Sequence, residues 1–198
     1  VTGVFATLRR LHGDLRWAGA QWCLVGGLAI ASRSEPRNTR DIEVAVAVTG
    51  DHQAESIIRK LCENRGYRIL TVLEETGTAR MATVRLLPPG SDARGAIVDL
   101  LFASSGIEPE LVTASTVISV IPDVDLPVAT AGHLLALKVL AARPQDLVDA
   151  QNLLLEMDDG ERQRAKQAVR LIQERGFARQ KDLVATLEDF IRQWEESQ

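Results

Sequence analysis

The sequence predicts an α+β protein, on three observations. Residues 1–125 alternate between segments of helical and of strand periodicity, whereas residues 126–198 are helical almost throughout. A Gly26-Gly27 pair stands between an apolar, strand-like run and a short helical one. The composition is that of a folded globule, with 198 residues, 45% hydrophobic and 25% charged, and 23 Lys+Arg against 27 Asp+Glu for a net charge of −4. That apolar fraction is too high, and the charge too small, for intrinsic disorder. A chain of this length buries roughly 70% of its unfolded surface. The expected division is a mixed α/β domain over 1–125 and a helical domain over 126–198.

Residues 2–19 set Val4, Phe5, Leu8, Leu11 and Leu15 on one helical face, with Gly19 as a stop. Residues 22–25 read as an apolar strand ended by the glycine pair, and 28–34 as a short helix. Residues 41–48 are apolar and β-branched after Asp41 and Glu43, a buried strand. Asp51 is placed to cap a helix that runs to Arg65 and ends at Gly66. Three strands follow at 68–73, 79–87 and 96–102, with Pro88-Pro89-Gly90 as a turn between the last two. Residues 107–113 read as a short helix and 117–121 as a short strand. The stretch 122–127, with a proline at each end, reads as the domain boundary. Thr130 then caps a helix to about residue 142, and 145–157, 162–175 and 181–195 give three more.

Several classes are excluded. The longest nearly apolar stretch, residues 24–31, is far short of the roughly 20 residues a membrane span needs, so no membrane partner is expected. Cys23 and Cys62, with three scattered histidines, give neither metal-knuckle spacing nor a disulfide framework. The start of the chain shows no basic segment followed by an apolar one, and a cytoplasmic location is expected.

The chemistry sits in Val25-Gly26-Gly27 and in the stretch from Arg37 to Val44. On a strand, Asp41 and Glu43 project to the same side. Two carboxylates at the start of an apolar strand are costly unless paired. A divalent cation bound through oxygen is a natural partner, and Mg²⁺ takes one or two carboxylates plus substrate phosphates. The glycine pair lets backbone N–H groups approach a triphosphate. Asp99 offers a third acid inside an apolar strand. A glycine pair, then a paired acid on a strand, then a distant third acid is the pattern of the nucleotidyltransferase superfamily.

More closely, the chain resembles the AbiEii/MenT group of nucleotidyltransferase toxins from bacterial toxin–antitoxin systems. The resemblance rests on LVGGLAI at 24–30 with RNTRDIEVAV at 37–46, on IVDLLFA at 97–103, and on HLLALKVLAARPQDLVDAQNLL at 133–154. It implies a nucleotidyltransferase-like mixed sheet flanked by helices, followed by a C-terminal helical bundle. By periodicity Lys138 is a helix surface residue, whereas the resemblance turns it into the active site against nucleotide phosphate. It also places at least one of Asp146 and Asp149, which share a helical face, in the site. The chain departs from the group at Glu43, where the second acid is usually Asp; the charge is kept on an arm one methylene longer.

The implied reaction is Mg²⁺- or Mn²⁺-dependent transfer of a nucleoside monophosphate from an NTP, CTP or UTP by the resemblance, to the 3′ end of tRNA. That would block aminoacylation and translation. Asp41, Glu43 and Asp99 would hold metal, and Gly26, Gly27, Arg37, Thr39 and Lys138 would bind the nucleotide. Residues 161–181 hold seven basic against two acidic groups, among them Arg162, Arg164, Lys166 and Arg170, a local +5 suited to a phosphate backbone. The resemblance further implies an antitoxin partner, in some relatives kinase-like, with Thr39 as the phosphorylation site. The alternatives are an antibiotic-type nucleotidyltransferase acting on a small molecule, and a catalytically silent binding module of the same fold.

Overall fold

The computed structural model describes residues 2–35, 39–75, 79–91 and 95–196. In chain order the elements are α1 (Thr2–Ala18), β1 (Gln21–Val25), α2 (Gly26–Ala31), β2 (Asp41–Ala47), α3 (Asp51–Arg65), β3 (Arg68–Glu74), β4 (Met81–Leu87), β5 (Ile97–Leu101), α4 (Glu108–Thr113), β6 (Thr116–Ile121), β7 (Val124–Val128), α5 (Ala131–Ala141), α6 (Pro144–Glu156), α7 (Asp159–Glu174) and α8 (Leu183–Glu196). The strands form one mixed sheet in the order β3-β4-β5-β2-β1-β7-β6. β2 lies at its centre, parallel to β5 and antiparallel to β1. None of the described helices is long and apolar enough to cross a membrane.

The centre of the sheet is apolar where the sequence is apolar. Ile42, Val44, Ala45 and Val46 of β2 and Val98 and Leu100 of β5 are fully buried. α1 covers its part of the core with Leu8, Leu11 and Leu15, which recur at helical spacing and are also fully buried. α5 is different, for it is buried nearly all round, as expected of a helix with no polar face. It packs against α2 on the sheet side and against α6, α7 and α8 on the other.

The structure departs from the sequence-based expectation in three places that matter. α2 begins at Gly26, so the glycines open the helix instead of forming a turn before it. The proline-flanked stretch 122–127 is not a break: it turns back as β7, whose strand straddles position 125. Pro127 is tolerated because β7 meets β1 in register only at Leu24↔Val128, beyond the proline. Finally, Lys138 is only 7% exposed and not a surface residue, because α5 is enclosed by its neighbours.

Candidate active site

Strand register assembles the site. Val25 faces Glu43, Glu43 faces Asp99, and Asp99 faces Arg85, on four adjacent strands. Directly opposed residues share a face of the sheet, and Asp41, two positions before Glu43, shares it too. Above this row lies a cavity of about 320 Å³ whose lining includes Gly26, Glu43, Arg85, Asp99, Lys138 and Asp146.

Glu43 is folded back against the glycines. A Cβ on Gly26, whose φ is +65°, would fall 1.6 Å from Glu43 Oε2. The Gly27 N–H donates to the same side chain. Burial pushes the Glu43 pKa up and the charge of Asp99 adds to the rise, while Lys138, Arg143 and the Gly27 N–H oppose it. The absent side chain that was expected to admit a phosphate thus admits a carboxylate.

Asp99, nearly buried, is gripped bidentately by Arg85, with Nε 2.8 Å from Oδ1 and Nη2 2.7 Å from Oδ2. The bond to Asp99 raises the Arg85 pKa most, and Asp41 and Glu43 act on it in the same direction. One guanidinium therefore sits in the field of all three predicted metal acids. Arg85 was missed in the sequence, where its signal is a single charge inside the strand MATVRLL.

Opposite the sheet, Lys138 Nζ lies 2.8 Å from Asp146 Oδ1 and 2.9 Å from Asp149 Oδ2. Both aspartates are 1% exposed, so α6 brings both to the lysine. Arg143, whose side chain is exposed, donates from Nε to Asp146 Oδ2 at 2.7 Å, while its backbone N–H closes a capping box at 3.0 Å. Burial pushes the Asp146 carboxyl up, but the bonds from Arg143 and Lys138 outweigh it and hold its pKa at about 2. Arg143 and Arg179 also line the cavity and were not singled out as site residues.

The remaining predicted residues are dispersed. Arg37 lies outside the described residues. Thr39 is half-buried, its hydroxyl 3.4 Å from the Asp41 carbonyl oxygen. In the basic segment, Arg162 pairs with Glu195 and Arg164 with Glu161. Lys166 and Arg170 make no ion pair among the described residues.

Among the described residues no three His, Cys, Asp or Glu side chains already converge as ligands. The donor set nevertheless fits a hard divalent cation. Glu43 and Asp99 offer carboxylate oxygens from facing positions on parallel strands. The raised pKa of Glu43, due chiefly to burial, marks a carboxylate whose charge is poorly solvated despite Lys138 and Arg143 nearby.

A glycine-opened helix beside a central acid-bearing strand, with a third acid in register on the next strand, defines a nucleotidyltransferase-like protein. The fold agrees with the crystal structure of an antigenic nucleotidyltransferase-like protein from Paracoccidioides brasiliensis, at a TM-score of 0.54 and 15% identity over 94% of this chain and 93% of that one. The lincomycin-bound lincosamide antibiotic adenylyltransferase LnuA aligns at a TM-score of 0.47 and 14% identity, over 77% of this chain and 97% of that one. Comparison with curated proteins gave no match. A family model described as "Nucleotidyl transferase AbiEii toxin, Type IV TA system" matches residues 17–196, and the chain belongs to that family.

Proposed function

We propose that this protein transfers a pyrimidine nucleoside monophosphate from CTP or UTP to the 3′ end of tRNA, as the toxin of a toxin–antitoxin pair. The observation that supports it best is the buried Lys138, fixed by Asp146 and Asp149 across the cavity from Glu43 and Asp99. A buried ammonium held in place by two carboxylates is not a solubilising charge, which supports the reading that it is positioned to meet a phosphate. In the reaction the acceptor hydroxyl gives up its proton to water, its oxygen bonds to the α-phosphorus, the bond from that phosphorus to the bridging oxygen breaks, and pyrophosphate leaves.

Asp41, Glu43 and Asp99 would hold Mg²⁺ or Mn²⁺, which when bound offsets the triphosphate charge and stabilises entering and leaving oxygens. Arg85, Lys138 and Arg143 present cations to the phosphates from two sides of the cavity. Arg85, engaged by Asp99, would exchange that carboxylate for a phosphate.

The test is incubation of the protein with total RNA and each of the four labelled NTPs separately. Label entering tRNA from CTP or UTP, and lost in Asp41→Ala, is expected. Label appearing only in small molecules points to the antibiotic-type reading, and no incorporation at all to a silent module; either result rejects the proposal.

A further inference from the structure

We propose that β3 pairs with β3 of a second copy of this chain, antiparallel about Thr71, to make a two-fold dimer with one continuous sheet. β3 is an edge strand, and every residue from Arg68 to Glu74 is exposed. Ile69, Leu70, Val72 and Leu73 are 50%, 46%, 45% and 56% exposed, so residues of both alternating sets show apolar surface. A bare apolar edge is a template for another strand. Of the devices that blunt such edges, β3 has two register irregularities against β4, at Leu70 and between Leu73 and Glu74, but residues 69–73 include no proline and no charge.

The order of residues says which strand fits. Two antiparallel copies centred on Thr71 set Arg68 opposite Glu74 of the second copy, Ile69 opposite Leu73, and Leu70 opposite Val72. Both ends of the pairing then carry opposite charges, and everything between is apolar or threonine. A centre at Leu70 sets Arg68 opposite Val72, and one at Val72 sets Glu74 opposite Leu70, so the charges select the register. Neither Arg68 nor Glu74 makes an ion pair within the chain among the described residues. The other edge, β6, reads TVISVI and has no charge to set a register.

The pairing also bears on the site. Thr71 faces Arg85, so the row from Glu43 through Asp99 and Arg85 ends on the proposed axis. A two-fold axis between antiparallel edges stands perpendicular to the sheet, and both cavities would open on one face. The two Asp99 residues would be separated by five strand spacings, roughly 24 Å. Leu73, opposite Ile69 in the pairing, lines the cavity.

Sedimentation and light scattering on the full chain test this. The wild type should dimerise. Arg68→Glu or Glu74→Arg alone should raise the dimer dissociation constant at least about tenfold, since each turns two attractive cross-strand pairs into repulsive ones. The double variant should restore dimerisation, because it reverses both charges at once. In a Cys62→Ser background, Thr71→Cys should oxidise to a covalent dimer across the axis, whereas Val117→Cys on β6 should not. A monomeric wild type at high micromolar concentration, single reversals without effect, or a double variant as weak as the singles would overturn self-pairing. So would a monomeric chain whose β3 is protected only when an antitoxin is bound.

Discussion

Lys138 shows what single residues do here. Its neighbours Asp146 and Asp149 are almost wholly excluded from water, and the ammonium within 3 Å of both is the charge they share, beside Arg143 on Asp146 and the Gln145 amide on Asp149. Lys138→Met removes that charge and leaves two buried carboxylates with Arg143 as compensation. A loss of about 3–5 kcal/mol of unfolding free energy is expected at neutral pH, read by urea denaturation. A loss below about 1 kcal/mol would mean that the triad is not a paired unit. Glu43 has the opposite sense. Its folded-state pKa is raised above the ordinary 4.5, with burial the chief cause. The stability linked to it is therefore present below 4.5 and lost as pH rises through the folded value. Glu43→Gln should thus raise the melting temperature at pH 7 and leave it little changed at pH 4, while nucleotide incorporation falls. A variant less stable at pH 7 would contradict the assignment.

Elements impose their own constraint at the entry to α2. With φ at +65° and the Glu43 carboxylate where a Cβ would stand, Gly26 is fixed by β2 as much as by its own turn. Gly26→Ala should destabilise by about 1–3 kcal/mol. In Glu43→Ala the collision is gone, so adding Gly26→Ala there should cost clearly less, leaving only the left-handed backbone penalty. A double-mutant cycle showing simple additivity would place the glycine's role elsewhere. The glycine pair and the acid strand were both legible as motifs, since close approach needs glycine and alternation puts Asp41 and Glu43 on one face. Their mutual contact was not, because nothing in local spacing brings residue 26 onto residue 43. β7 was misread for a related reason: the prolines at 122 and 127 signal a break locally, while the sheet had room between β1 and β6 for a strand that pairs along β6 and meets β1 in register only at Val128.

Over the whole molecule, the −4 charge conceals a division of labour. Much of the basic segment on and after α7 is spent inside the protein. Arg162, Arg164 and Arg175 pair with Glu195, Glu161 and Glu110, and Lys181 donates to the Leu140 carbonyl oxygen. The local +5 is thus partly a clamp that ties the C-terminal helices together and to α4. Lys166 and Arg170 remain for a polyanion. Replacing both by Ala should lower the slope of log affinity for tRNA against log salt by about 2. An unchanged slope would move the RNA path away from α7.

By itself the sequence determined which chemistry was possible. Periodicity set the order of helices and strands apart from β7, and Asp41, Glu43 and Asp99 stood out because acids in an apolar strand are expensive without partners. Lys138, a surface residue by periodicity, stood out only through the family resemblance. Only the tertiary structure decided who those partners are. Arg85 reaches Asp99 through β4–β5 register, Glu43 reaches the glycines through β1–β2 register, and both Asp146 and Asp149 reach Lys138 because α6 folds back along α5. Each of these contacts depends on how strands and helices align across the fold, and a charge's partner, its burial and its pKa follow from that alignment.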